Sequence, residues 1–405
     1  MSMGKDKGIH IPSNLFMVNK ETVNAIPVAA LIVVFFPVLI TNFLTISLYA
    51  LIIFPFFYCS TKITVTRELI ITTMIMSLGM FIMVYSYNKE PVITALVSPF
   101  THHDSAQLRS MLLTSFIGFA VFIQGYFYSF TVKRPLSLLG YVFLYQWLLV
   151  GLYFIVTYGF ITGTNLELGN LTIVLLPYMY LVFEGKSKLR LFFSSIVLLY
   201  LMLISCRTAF VAATVFFVTY YLYPYLVVNK RRYKLFFLFF IAMIFFSMAM
   251  YLLSGFDFID DLSKMYFGGK SIKSGRELLW PELLTYIADR PLLGYGIHQA
   301  SDYFRSTSEI LKFRSLSSHN IYLEVLLRGG ILLLLFFIIL FYRIWGFFYS
   351  INNKISRIAA SGFLAFLFVG AGLPIGLIGN IILNTLLWFY WGVAAGNTWI
   401  KNHQI

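Results

Sequence analysis

Three side chains carry most of the chemistry open to this chain: Arg207, Arg276 and His319. Arg207 lies in Ser205-Cys206-Arg207-Thr208, which interrupts an apolar run from Leu189 to Val228. A guanidinium at a membrane boundary needs a partner or a water-filled cavity, unless its stem snorkels to the headgroups. Arg276 opens a stretch of helical spacing. Ser274 stands at the N-cap position and Glu277 completes a capping box, so Arg276 falls in the first turn. Free amides and the helix dipole favour an anion there, and a guanidinium adds a two-pronged clamp for phosphate oxygens. The alternative is a surface arginine paired with Glu277 or Asp289. His319, between Ser318 and Asn320, has the side chain best suited to take a hydroxyl proton near neutral pH. It could equally be an interfacial histidine satisfied by a backbone carbonyl. Glu324, about one helical turn on, is placed to orient it. Arg328-Gly329-Gly330 follows on the same helix, with Arg328 facing the same cavity or a buried partner.

Other signals fail on inspection. Gly269-Lys270-Ser271 lacks the preceding glycine of a phosphate-binding loop, and Gly294-Tyr295-Gly296 follows no βαβ unit. No Ser-His-Asp arrangement has a recognisable context, and no acidic cluster suits a divalent metal. His102-His103-Asp104 could ligate a metal, but adjacent loop histidines are more often simply solvated. Cys59 and Cys206 lie far apart at predicted span ends and give neither a disulfide framework nor a metal spacing. Two arginines and a histidine suit a lipid-linked diphosphate better than a hydrolytic or redox substrate. The expectation is a site with no metal and no cofactor.

The elements that must position these residues are membrane helices. The 405 residues are 60% hydrophobic and 11% charged, where a soluble chain carries about a quarter charged residues. Long apolar runs broken by basic clusters predict an all-α, polytopic integral membrane helical bundle of about twelve spans, with one large helical loop on the outer side. The spans fall near 24–41, 43–59, 69–87, 110–131, 136–158, 171–184, 189–205, 208–228, 234–254, 320–342, 357–373 and 376–397. The first apolar run is too long for a signal peptide and is followed at once by another. With a cytoplasmic N-terminus, the inner segments hold 18 basic and 4 acidic residues, and the outer segments hold 12 of each. The whole net charge of +14 thus falls on one face, as the positive-inside bias requires. It encodes topology and contact with anionic lipid, not nucleic-acid binding.

The predicted organisation is a cytoplasmic segment 1–23, a bundle 24–254, a large outer loop or cap 255–319 (periplasmic, on the resemblance given below), a second bundle segment 320–397 and a cytoplasmic tail 398–405. Within the loop, a helix over 274–289 presents Leu278, Leu279, Leu283, Tyr286 and Ile287 on one face. Pro281 bends it, Gly294-Tyr295-Gly296 turns the chain, and a weaker helix runs over 299–311. Such a loop would pack back onto the bundle.

Three motifs in this order resemble a known family. They are Ser205-Cys206-Arg207-Thr208-Ala209, then Ser274-Gly275-Arg276-Glu277-Leu278-Leu279-Trp280 with Arg290-Pro291-Leu292-Leu293-Gly294-Tyr295-Gly296, and finally Ser318-His319-Asn320-Ile321-Tyr322-Leu323-Glu324 running into Arg328-Gly329-Gly330. Over about 205–345 the chain resembles the O-antigen ligase and O-antigen polymerase superfamily of bacterial envelope glycosyltransferases. The first 200 residues resemble it only in span count and topology.

The resemblance implies a metal-independent, inverting transfer of a glycan from undecaprenyl diphosphate on the periplasmic side of the inner membrane. Arg207 and Arg276 would bind the donor diphosphate, with Arg328 and Arg290 in support. His319 would activate the acceptor hydroxyl or help position the diphosphate, with Glu324 and Asn320 supporting it. The acceptor would be lipid A-core for a ligase, or another lipid-linked repeat unit for a polymerase of O-antigen, capsule or exopolysaccharide. None of the outer arginines at 109, 207, 276, 290, 305 and 314 has a glycine eleven residues on, a pattern some polymerases carry. That favours a ligase. A polysaccharide or lipid transporter is the reading from another class, and it would call for internal repeats and more polar interruptions than Asn42, Gln124 and Gln146.

Overall fold

The computed structural model describes residues 121–123, 125–126, 129, 135–158, 165–183, 185–254, 257–267, 269, 276–295, 318–351, 353–372 and 381–403. The spans expected over 24–41, 43–59 and 69–87, the His102-His103-Asp104 segment, the Ser274 cap and the 299–311 helix lie outside these residues. Of the span expected over 110–131, six residues are described, all helical.

The described elements are helices: α1 Pro135–Tyr158, α2 Asn165–Val182, α3 Ser187–Leu203, α4 Arg207–Leu226, α5 Lys230–Ser254, α6 Asp257–Tyr266, α7 Arg276–Asp289, α8 Ile321–Phe347, α9 Lys354–Gly372 and α10 Ile381–His403. In an apolar solvent each amide must be satisfied within its own segment, and a helix does so. Stretches within α4, α5, α8 and α9 are long and apolar enough to cross a membrane. Asparagines start three helices. Asn229 Oδ1 accepts from the amides of Arg231 and Arg232 ahead of α5. Asn320 Oδ1 does the same for Tyr322 and Leu323 in α8, and Asn353 Oδ1 for Ile355 and Ser356 in α9. Each cap satisfies amides that the helix itself leaves open.

Several expected boundaries move, among them the start of α5, at Lys230 rather than 234, and the end of α10, at His403 rather than 397, which takes most of the expected tail 398–405 into helix. The short span over 171–184 is the latter part of α2, which starts at Asn165, so the outer connection 159–170 loses half its length to helix. The span over 320–342 runs on to Phe347. A helix favours such extension because each added apolar turn satisfies its own amides.

The core is aromatic. Tyr178 on α2 donates to the Leu386 carbonyl of α10 at 2.6 Å, and its ring meets Phe143 and Tyr390 edge-on. Edge-on pairs suit the ring quadrupoles. α9 packs along α4 more extensively than any other described pair of helices. α10 lies close to the helical residues near 125: a Cβ on Gly392 or Gly396 would strike the carbonyl of Phe122 or of Tyr126. Small residues at such crossings let backbones approach and drive packing where lipid offers no hydrophobic gain.

α7 docks on the ends of α5 and α8 and forms a second, smaller core. Leu279, Trp280, Leu283 and Ile287 are buried against Leu323 and Leu327, flanked by Met248, Tyr251 and Leu252. The expected face needs one correction. Leu278 is exposed and Tyr286 half-buried, while Trp280 takes the central place. Leu278 lies about 200° around the helix from Trp280, so the two cannot share a face.

Candidate active site

Two backbone irregularities mark the site. Among the described residues, Ser205 (φ 54) and His319 (φ 48) are the non-glycine residues with left-handed backbone. Each stands two residues before a helix, Ser205 ahead of α4 and His319 ahead of α8. A side chain in this region costs roughly 1–2 kcal/mol, and such outliers gather at functional sites because the surroundings must enforce them.

Arg207 is the first residue of α4 and Arg276 the first of α7. Both therefore sit beside helix-terminal amides, where the dipole is positive. Arg207 donates to Ser263 Oγ of α6 at 3.2 Å. Asp260, one turn earlier on α6, is buried and held by Lys264 at 2.7 Å. The Arg276 guanidinium lies 5.9 Å from the centre of the Trp280 ring, one turn along α7. Burial pushes its pKa down, Tyr251 draws it up, Arg207 pushes it down again and Glu277 draws it up. The Arg207 effect places the two guanidiniums within each other's field. Like charges held this way repel, and a ligand with two adjacent negative charges relieves the repulsion.

Trp280 ties this pair to the histidine. Its indole Nε1 donates to the Ser318 carbonyl at 2.9 Å, immediately before His319, and its ring meets Tyr251 of α5 edge-on at 5.0 Å. Ser318 Oγ donates to Glu324 Oε1 at 2.6 Å, and Glu324 Oε2 pairs with Arg328 Nε at 3.4 Å. All three of these side chains are buried. Asn320 Nδ2 donates to the Ala371 carbonyl at 3.1 Å while its Oδ1 caps α8. The turn that carries His319 is thus gripped from α7, α8 and α9. Glu324 holds the serine before the histidine, and Arg328 faces a buried partner.

Arg290 stands apart. It follows the last residue of α7, so the helix separates it from Arg276 by roughly 20 Å at 1.5 Å per residue. Its guanidinium stacks 4.7 Å from the centre of the Tyr295 ring, whose hydroxyl donates to Asp289 at 2.6 Å. The chain beyond it returns to α8 through backbone bonds. Tyr295 N donates to the Leu327 carbonyl at 2.8 Å, and Ile331 N to the Pro291 carbonyl at 2.7 Å. Gly330 (φ 63) breaks the helical geometry of α8 here, and a Cβ on it would strike the Leu292 backbone. Gly294 (φ 65) interlocks from the other side, its Cβ direction 2.6 Å from the Leu327 carbonyl. These glycines join the described part of the first motif, 290–295, to 328–330 as one joint.

Arg207, Arg276 and His319 are therefore brought to one end of the bundle, with Asn320, Glu324 and Arg328 beneath them. Trp280 and Ser318 were not marked as site residues by sequence reasoning. The usable signal was the spacing of four between Arg276 and Trp280, which puts them on one helix face.

Among the described residues, a helical bundle with apolar, membrane-length helices and a basic cluster at converging helix starts defines the class: an integral membrane protein. Residues 191–338 match the model of the family described as O-Antigen ligase. This stretch, a little over a third of the chain, contains every candidate site residue and is similar to the O-antigen ligase family. It is also similar to a candidate polysaccharide ligase of Rickettsia typhi, with 29% identity over 148 residues, covering 35% of this chain and 34% of the relative. The chain thus matches about a third of that relative's length.

Proposed function

We propose that the protein is a glycosyltransferase of the bacterial inner membrane, with its site on the periplasmic face. It moves a polysaccharide from undecaprenyl diphosphate to lipid A-core, as an O-antigen ligase. The observation that carries this reading is the connected set Arg207, Arg276, Trp280 and His319: two guanidiniums within each other's field, joined through one indole to a strained histidine turn.

The chemistry follows from those groups. Arg207 and Arg276 hold the diphosphate, and His319 takes the proton of the acceptor hydroxyl. The hydroxyl oxygen attacks the anomeric carbon from the face opposite the diphosphate, so the configuration inverts. The bond to the phosphate oxygen breaks, and its electron pair stays on the leaving diphosphate, where the guanidiniums balance the added charge. The histidine proton passes to the departing diphosphate or to water. Placing both cations at helix starts makes the leaving group the stabilised partner, which suits transfer better than transport.

A strain lacking the protein, examined on lipopolysaccharide gels, tests the reading. Core without polymer, together with accumulated lipid-linked polymer, is expected. Core bearing a single repeat unit would make the protein a repeat-unit polymerase. Normal polymer on core would overturn the transferase reading, and Arg276→Ala and His319→Ala should each reproduce the null phenotype.

A further inference from the structure

At the opposite end of the bundle, two more arginines meet over one tyrosine. Arg190, in the first turn of α3, donates through NH1 to the Tyr220 hydroxyl at 2.6 Å, and its guanidinium carbon lies 4.9 Å from the Tyr220 ring centre. Arg357, in the first turn of α9, stacks on the same ring at 3.8 Å and donates through Nε to the Tyr220 carbonyl. Tyr220 itself is buried, with Tyr180 edge-on at 4.8 Å. Tyr221, 42% exposed, also meets it edge-on.

This is an unusual place to fix two cations. The carboxylates with described side chains are Asp257, Asp260, Asp261, Glu277, Glu282, Asp289 and Glu324, and all sit on α6, α7 or the first turn of α8. None is at this end, where Lys186, Lys188, Lys230 and Lys354 are exposed nearby at helix starts. Arg357 is held by the ring face and the Tyr220 carbonyl and Arg190 by the Tyr220 hydroxyl, which leaves other N–H groups of both guanidiniums for another acceptor. Arg190 Nε is buried and makes no hydrogen bond. The partner such a pair fits is an oxyanion able to bridge two forks.

We propose that Arg190 and Arg357, set on Tyr220, form a binding site for the phosphate of an anionic lipid headgroup in the leaflet opposite the transfer site. The lipid is favoured over a free phosphate by the surroundings. Leu191 and Phe192 beside Arg190, and Tyr221 and Tyr225 on α4, are exposed large apolar or aromatic side chains where acyl chains would lie. Aromatic side chains of this kind mark membrane interfaces, and anionic lipid attracts basic groups just outside spans. The assignment stands independently of the transferase reading.

The test uses the full-length protein, purified in mild detergent and stripped of lipid. Native mass spectrometry and thermal unfolding are followed with added phosphatidylglycerol, phosphatidylcholine or inorganic phosphate. Phosphatidylglycerol is expected to stay bound and to raise the melting temperature saturably, while phosphatidylcholine does neither. Removing both guanidiniums in Arg190→Ala/Arg357→Ala should weaken phosphatidylglycerol retention by about tenfold or more, given the usual worth of each basic group at an anionic surface. Arg190→Lys/Arg357→Lys keeps the charge without the forks and should recover only part of it. Equal retention by wild type and the alanine double variant would overturn the site. So would inorganic phosphate that stabilises as well as the lipid and displaces it, which would mark a soluble-anion site. If the alanine variant fails to fold, the lysine variant and the lipid preference of the wild type decide the matter, and no preference overturns it.

Discussion

The two ends of the bundle use the same residue type in opposite ways. At the end formed by Arg190, Tyr220 and Arg357, one arginine stacks on a buried ring, the other bonds its hydroxyl, and left-handed backbone falls only on a glycine, Gly185, among the described residues. Nearby, Tyr233 stacks on Trp345 at 4.3 Å and each donates to the other's carbonyl. At the end formed by Arg207, Arg276 and His319, the arginines open helices, carboxylates lie close by, and two residues adopt left-handed backbone. One end is built to be stable in its surroundings. The other is held away from its relaxed geometry by neighbours, as the proposed transfer chemistry, with its changing charge, would need.

Substitutions can break or sharpen that contrast. The largest effect is expected from Arg276→Ala and His319→Ala: glycan transfer to acceptor in reconstituted membranes should fall by about 10²-fold or more. The melting temperature should stay close to wild type, because neither side chain is at the centre of a core. Next comes Trp280→Ala, expected to cost roughly 3–5 kcal/mol of stability in denaturant unfolding, since it empties the centre of the small core under α7. Trp280→Phe keeps the ring but loses the bond to Ser318. It should cost only about 1 kcal/mol yet still slow transfer by loosening the histidine turn. A smaller stability effect, of opposite sign, is expected for His319→Gly. Glycine relieves the left-handed strain, so stability should hold or rise by about 1 kcal/mol while transfer is lost. The smallest effect belongs to Arg290→Ala, on an exposed turn at the far end of α7. Its stability change should be within about 0.5 kcal/mol and its transfer rate near wild type. A null phenotype there would mean that the diphosphate reaches further along α7 than the helix length allows.

Much of the helical architecture was legible because membrane spans announce themselves in composition. The starts of α1 and α3, and the end of α4, fall within two residues of the sequence expectation. Arg207, Arg276 and His319 were legible for a different reason: each is a charged or titratable group at an apolar boundary. What was not legible depends on contacts between distant segments. The bond from Trp280 to the residue before His319 joins positions 38 apart. Glu324 looked like an orienting partner for the histidine from one-turn spacing, yet it holds Ser318 and Arg328. Spacing along one helix gives direction but not which neighbour arrives first. The exposure of Leu278 has the same origin: a run of leucines fits two adjacent faces of a helix, and only the partner surface selects one.

The joint between residues 291–295 and the Gly330 break has a kinetic consequence. Its bonds run from the amides of Tyr295, Ile331 and Leu332 to carbonyls across the joint, as in a rung of sheet set inside an all-helical region. Amides of a loop normally exchange with solvent deuterium quickly, whereas these should exchange only when the joint opens as a unit. The slow signal of Tyr295 would then report, from a single peptide, whether the segment leading from α7 toward the histidine turn is clasped. Substrate that tightens the clasp would be visible as a further slowing at that one amide.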